Sequence, residues 1–455
     1  MTMKKYSVSI SGPDWKEVRE ALFTDDGCEN AGVLLCGVSE TASQIRLLAR
    51  RFVPVPMRLY KDRRDYHLEV APEFYNGIVT ECERTGLHPV IIHSHRVSGE
   101  ARYSSSDNYG EAGLLPVLSS LLPDRTVASL VMSHTHINGR RVVDDEFVSL
   151  DSIHICSPRI SVTAGYQSEE ESQNTSLFDR QIRAFGHEGQ TLLSSLKVGI
   201  VGLGGIGSVV AEQVARIGVG QLVVVDNDRI EESNLSRVVG ATRSDVGASK
   251  ADVLAKHLER LGHRRVARIK DSAIRQQVLE QLRDCDLVFS CVDNDRTRAV
   301  LNRFAHQYLI PVVDTGVRLD ARSGSIEAAA GRVSVVGEGF TCLRCSHHLN
   351  SERIRAESLP EDERAKLAKE GYVIGITDPV PAVMSLNTTL SGLSVTAFLN
   401  LFVNLTGGVQ PAGQIYDATS GAVFPTTPVH DHGCDICDSA VGVKGIGDGQ
   451  VVSAY

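Results

Sequence analysis

The sequence predicts an α/β protein in which a doubly wound, mostly parallel sheet is preceded by a smaller α+β domain. Three observations predict it. At 455 residues the chain exceeds one ordinary hydrophobic core and suits two. Around residue 166 the pattern of the chain changes. Beyond that point, short runs of Val, Ile and Leu alternate with helical segments, which is how strands covered by helices on both faces are written.

Before the change, YSVSIS, AGVLLCG, QIRLLARRFVPV, PVIIHSH, VASLVMS and SIHICS read as strands, with helices near Trp15 to Phe23 and Pro72 to Thr85. Residues 1–165 are therefore assigned to the α+β domain. Residues 166–176, YQSEEESQNTS, are acidic and polar without apolar periodicity, and form the expected linker. Residues 177–455 form the larger domain, through KVGIVG, SVVAEQVARI, QLVVVD, SKADVLAKHLERL and DLVFSC. The glycine-rich end, VGVKGIGDGQVVSAY, reads as a loose tail.

The net charge of -9 argues against a nucleic-acid partner held by phosphate contacts, because such binding usually needs a basic face. No stretch reads as a membrane span, and MTMKKYSVSISG runs into an alternating strand rather than a signal peptide's apolar core. The expectation is a soluble, cytoplasmic protein without a membrane partner. Four of the ten cysteines stand in two C-x-x-C pairs, Cys342 with Cys345 and Cys434 with Cys437. Two such pairs are a common way to close a tetrahedral structural zinc, so one Zn2+ site is expected here rather than a disulfide framework.

Gly202, Gly204 and Gly207 form G-x-G-x-x-G between a strand and a helix, where small residues let backbone amides approach a phosphate. Asp226 follows at the end of the next strand, where a carboxylate can accept from ribose hydroxyls. To this point a nicotinamide-dinucleotide oxidoreductase is an equal alternative. The elements around this core separate the two: LFDRQ before the first strand, then DNDRIEESNLSR, VGASKAD and CVDNDRTR after it. In that order and spacing they resemble the ThiF/MoeB/ubiquitin-activating-enzyme (E1-like) family of adenylyltransferases, over residues 177 to about 439.

The resemblance implies a Rossmann-like domain that uses ATP and Mg2+ to adenylate the C-terminal carboxylate of a ubiquitin-like or sulfur-carrier protein. It implies that Asp226 holds the ribose, that Asn234, Arg237 and Lys250 contact the phosphates, and that Asp293 binds magnesium, with Asn294 and Arg298 completing a D-N-x-x-x-R pattern. Arg180 matches an arginine that, in the family's homodimers, reaches the neighbouring subunit's site. The same four-cysteine zinc is implied. The chemistry requires such a cluster, since bringing a carboxylate against a polyphosphate needs cations to offset the repulsion. Many family members also carry a nucleophilic cysteine near a P-x-P element. Here that region holds Pro379 and Pro381 with Thr377 and Ser385 but no cysteine, and none occurs between Cys345 and Cys434. Direct transfer from the adenylate to a partner is the expectation, with an oxyester on a local Ser or Thr, or transfer to one of the scattered cysteines, as the alternatives; Cys291, at the end of a buried strand, reads as packing.

In the first domain, Glu29, then His93 and His95 as H-x-H, then Ser104 and Asp107 as S-x-x-D, resemble the JAB/MPN (JAMM) metalloprotease motif. That resemblance implies zinc on both histidines and the aspartate, Glu29 as general base and Ser104 steadying the tetrahedral intermediate. Arg96 stands where a proline is common, and eight residues rather than seven separate His95 from Ser104. His134 and His136 lack a matching acid and read as structural. Such a domain would process or deconjugate the same carrier, alongside a conjugating-enzyme-like partner. A non-catalytic carrier-binding scaffold is the alternative from another class.

Overall fold

The computed structural model describes residues 4–144, 146–156, 160–163, 175–263, 265–322, 325–360, 363–364, 382–438 and 441–449. The chain divides into two compact units, Met1–Gln167 with Lys444–Gln450, and Ser168–Val443 with Val451–Tyr455.

The first unit runs β1 (Lys5–Ser11), α1 (Gly12–Leu22), β2 (Ala31–Glu40), β3 (Gln44–Pro54), β4 (Tyr60–Arg63), β5 (Leu68–Val70), α2 (Pro72–Thr85), β6 (His88–Ser94), α3 (Ser105–Leu121), β7 (Ala128–Met132), β8 (Ile137–Val143), β9 (Glu146–Ser149), β10 (Ser152–Cys156) and β11 (Ile160–Thr163). Nine strands form one mixed sheet in the order β11-β10-β1-β3-β2-β6-β7-β8-β9, and β4 and β5 pair separately. Alternation along the strands splits the apolar side chains between two faces. Val8, Ile10, Leu34 and Leu47 pack with Val18 and Leu22 of α1, while Val33, Leu35 and Ile91 pack with Phe74 and Ile78 of α2 and Leu115 and Leu118 of α3. Ser11 caps α1 and Ser104 caps α3, each accepting from the N–H three residues on.

The glycine-rich end is not a loose tail through residue 449. Asp448 N–H donates to Val38 O at 2.7 Å, Glu40 N–H donates to Asp448 Oδ2 at 2.8 Å, and Gly447 bridges to Val38 beside β2. Gly445 and Gly447 both hold φ +60, and a side chain on either would run into the backbone of β3 or β2. Glycine is what lets this segment lie flat on the sheet.

The second unit runs α4 (Thr175–Ser195), β12 (Lys197–Val201), α5 (Gly207–Ile217), β13 (Gln221–Val225), α6 (Lys250–Arg260), β14 (Val266–Ile269), α7 (Gln276–Leu282), β15 (Leu287–Ser290), α8 (Asp295–Tyr308), β16 (Val312–Arg322), β17 (Ser325–Val336), α9 (Ser351–Glu357), α10 (Met384–Val403), β18 (Gly413–Asp417) and β19 (Ala422–Thr426). Its sheet has the order β14-β13-β12-β15-β16-β17-β18-β19. The first five strands are parallel and the last three join antiparallel, so the sheet is mixed where a mostly parallel one was expected.

One helix corrects the reading that no stretch could span a membrane. The 20 residues of α10 are long and apolar enough by composition alone, but their most apolar window is 67% buried. Leu390 packs over Gly331 of β17, and Ser394 Oγ lies 2.7 Å from Thr315 Oγ1 of β16. Its apolarity belongs to a core helix covered on several sides.

Candidate functional site

Strand order reverses around β12, with β13 on one side and β15 on the other, which opens a crevice at the C-terminal ends of these strands. Gly202 leaves β12 at φ +85, and a side chain there would meet the Cys291 carbonyl 2.8 Å away. A side chain on Gly207 would collide with the Gly202 carbonyl, whereas one on Gly204 would meet nothing within 4 Å. Gly202 and Gly207 thus close the turn against the protein, and Gly204 leaves the outer side clear for a ligand.

Asp226 follows β13 and ties the loop to it. Leu203 N–H donates to its Oδ2 at 2.7 Å and Asp228 N–H to its Oδ1 at 2.8 Å. Burial raises its pKa, opposed by the charge of Lys250 and by these two backbone donors. Lys250, at the start of α6, donates through Nζ to Asp228 Oδ2 at 2.8 Å. Arg237 donates to Ser233 O at 2.8 Å, and its Cδ lies beside Gly205. Asn234 is 6% exposed and accepts from Glu231 N–H at 3.2 Å, closing a short turn.

Asp293 is exposed on the loop that leaves β15. Asn294 caps α8, accepting from Thr297 N–H at 2.8 Å. Arg298 donates to Val292 O at 2.7 Å and lies 3.4 Å from Asp314, which is fully buried and also paired with Arg332 at 2.8 Å. Its guanidinium is therefore taken up by the protein and braces the loop carrying Asp293. The sequence held no sign of the anchor, because Asp314 and Arg332 come from β16 and β17. Cys291 has its thiol raised by burial and then by Asp314, which disfavours the nucleophilic thiolate. Thr377, Pro379 and Pro381 lie outside the described residues.

Arg180 is exposed on α4 and joins none of these groups. Its neighbour Gln181 donates to Ile217 O at 2.7 Å, at the C-terminal end of α5. The 11 residues of α5 span about 16 Å, and the glycine loop lies at the other end.

The four expected thiols converge: Cys342, Cys345, Cys434 and Cys437 are buried with sulfurs within 4.8 Å of one another. Cys345 and Cys437 lie 3.5 Å apart, and Asn302 donates to Cys342 Sγ at 3.5 Å. A tetrahedral zinc with bonds of about 2.3 Å spaces its sulfurs about 3.8 Å apart, so this set fits the ion.

In the first unit, His93, His95 and Asp107 also offer donor atoms within 4.8 Å of one another. His93 Nε2 lies 3.3 Å from Asp107 Oδ1, His95 Nε2 3.1 Å from Oδ2, and Glu29 Oε1 3.9 Å from His95 Nε2. The histidines come from the end of β6 and the loop after it, and Asp107 from the first turn of α3. Burial works against the charge of Asp107, but hydrogen bonds from the two imidazoles hold its pKa well below the carboxylate range. Burial raises Glu29, which is 6% exposed. Two imidazole nitrogens and a carboxylate oxygen are a sensible donor set for zinc.

Ser104 Oγ accepts from Asp107 N–H at 3.1 Å, so its hydroxyl caps α3. Arg96 donates through Nε to Cys28 O at 3.1 Å and through a second nitrogen to Thr24 O, while Arg63 donates to Glu29 O at 3.1 Å. The residue in the proline's position thus clamps the loop bearing Glu29. His134 stacks on Phe23 at 4.3 Å and His136 bonds Thr135, apart from the cluster. A cavity of about 370 Å³ opens beside Glu29, His93 and Asp107 and continues along Leu68, Tyr75 and Leu114.

The crevice at the switch point, with its glycine loop and flanking acids, has the form in which doubly wound α/β domains receive phosphorylated ligands. Residues 178–432 match the ThiF family, and the chain belongs to that family. It is 34% identical over 161 residues to a SAMP-activating enzyme E1 of Haloferax volcanii, covering 35% of this chain and 56% of that protein. It is 37% identical over 169 residues to a sulfur carrier protein adenylyltransferase of Thermus thermophilus, covering 35% and 58%. A molybdopterin-synthase adenylyltransferase of Salmonella typhimurium is 31% identical over 194 residues, covering 41% and 73%. The chain thus spans a little over half the length of the first two relatives.

Proposed function

We propose that this chain uses ATP to adenylate the C-terminal carboxylate of a ubiquitin-like or sulfur-carrier protein. The observation that carries the reading is the glycine loop at the switch point, bonded through Leu203 N–H to Asp226, with Arg237 beside Gly205 and the charge of Lys250 acting on Asp226. A carboxylate oxygen attacks the α-phosphorus, the bond to the bridging oxygen breaks, and pyrophosphate leaves. Asp226 accepts from ribose hydroxyls, and Arg237 and Lys250 neutralise phosphate oxygens, Lys250 exchanging Asp228 for the nucleotide. Asp293 would hold magnesium, which adds positive charge against the polyphosphate. Arg298 positions that aspartate through the Val292 carbonyl.

The family relationship and the named activities of the relatives support this reading. The remoteness of Arg180 from its own crevice favours its acting on a second copy of the chain, in a homodimer. The four cysteines would hold a structural zinc, closed to substrate by its four thiolates.

For the first unit we propose a JAMM-like zinc peptidase that acts on the same carrier. His93, His95 and Asp107 would hold the ion, which lowers the pKa of a bound water. Glu29, buried and kept in place by Arg63 and Arg96, takes the proton. The adjacent cavity suits an apolar side chain beside the scissile bond.

The test of the first reading is carrier-dependent exchange of labelled pyrophosphate into ATP, using a β-grasp protein encoded beside this one and Asp293→Ala as control. Exchange in the wild type that disappears in the variant is expected. No exchange with a carrier shown to bind would sink the reading.

A further inference from the structure

The helix α10 brings to the glycine loop a polar residue that no motif announces. The carboxamide nitrogen of Asn387 is packed on Gly205, so closely that a methyl group on that glycine would collide with it. The Cδ of Arg237 would stand 3.3 Å from the same methyl. Two polar side chains therefore share the space that the missing side chain of Gly205 leaves.

Asn387 is 5% exposed. Its backbone is satisfied, the N–H donating to Val383 O at 3.2 Å and the carbonyl accepting from Ser391 Oγ at 2.8 Å. Among the described residues its carboxamide has no hydrogen-bond partner. Its donors are thus left unused by the described protein at the edge of the glycine loop, where a partner that arrives from outside can take them up. The mount is firm. Ser391 Oγ also reaches Ile206 O at 3.2 Å, and Leu390 and Ser394 fix the next turn to β17 and β16.

We infer that Asn387 is a further catalytic residue of the adenylation site, donating through Nδ2 to the oxygens at the α-phosphorus of a nucleoside triphosphate. The inference rests on the adenylation reading. As the carboxylate oxygen bonds to phosphorus and the bridging oxygen leaves with pyrophosphate, negative charge grows on the remaining α-oxygens. A donor fixed before the reaction stabilises that charge without reorganising. The carboxamide does so without adding charge beside Arg237. It also gives Gly205 a reason distinct from those of Gly202 and Gly207, since any side chain there would push the amide away.

The experiment measures pyrophosphate exchange and, separately, ATP binding by calorimetry on the full chain carrying Asn387→Ala, Asn387→Ser or Asn387→Asp. The alanine variant should lose about 100-fold in kcat, the usual effect of removing one such donor, with ATP affinity changed by no more than a few-fold. The aspartate variant, which turns a carboxylate toward phosphate, should be slower still. Should alanine unfold the domain, the serine variant keeps a small polar group at this buried position and is read in its place. Exchange at the wild-type rate, or a loss explained entirely by weaker ATP binding, overturns the inference. A wild-type chain that binds ATP and carrier but exchanges nothing overturns the adenylation reading and this inference with it.

Discussion

Lys444 donates through Nζ to Asp14 Oδ1 at 2.7 Å, joining residues 430 positions apart, and both side chains are at least nine-tenths buried. Ser11 Oγ donates to the other carboxylate oxygen at 2.6 Å, and Arg50 donates to the Lys444 carbonyl at 2.8 Å. Lys444 is thus part of the first unit's interior. Removing one partner of such a pair leaves the other buried and uncompensated, at a cost of about 3–5 kcal/mol. Lys444→Ala should therefore lower the urea midpoint of the first unit. The single tryptophan, Trp15, stands next to Asp14 and reports it by fluorescence. A double replacement, Lys444→Met with Asp14→Leu, should recover much of the loss, and equal destabilisation by the single and double variants would contradict the pairing.

His88 gives the first unit a pH dependence. Burial, and then the nearby charge of Arg125, depress its pKa from 6.5 to about 4, and Thr126 N–H donates to its Nδ1 at 2.8 Å. Folded His88 stays neutral where the unfolded chain takes up a proton, so its contribution is complete above pH 6.5. It falls as pH drops toward 4, by up to about 3 kcal/mol. Denaturation midpoints between pH 7 and 4 should decline, and His88→Gln, which cannot titrate, should flatten that decline. An unchanged slope in the variant would assign the effect to other groups.

Metal content separates the two donor sets. The wild type should carry about two zinc per chain, Cys437→Ser about one, and His95→Ala about one. Loss of a cysteine-bound ion should also lower the melting temperature of the second unit, because an ion held there would tie two remote segments together. One zinc in the wild type that disappears in Cys437→Ser would remove the metallopeptidase reading and leave the four-cysteine site.

Arg180 and Asp293 test the proposed homodimer. Each should be nearly inactive alone as Arg180→Ala or Asp293→Ala, but mixed dimers contain one site with both residues intact. Mixing should restore up to about a quarter of the wild-type exchange rate, from random pairing in which half the dimers carry one good site in two. Mixed dimers verified by differential tags and still inactive would return Arg180 to its own subunit or to a surface role.

What the sequence by itself determined is what depends on near neighbours. Gly202, Gly204, Gly207 and Asp226 are legible because a strand, a tight turn and a helix follow one another within a few residues, each with its own period. The cysteine pairs and the H-x-H with S-x-x-D are legible because a metal needs donors at short spacings. Tertiary structure alone decided where distant strands and helices meet. It set Arg298 against Asp314 and Arg332 as a brace, sent Lys444 to Asp14, and turned the glycine-rich end into a segment seated on β2. It also laid Asn387 over Gly205, from a helix whose length and average apolarity look the same whether it spans a membrane or fills a core. The physical reason is that pairing of buried charges and close approach of backbones depend on separation in space, which local pattern does not encode.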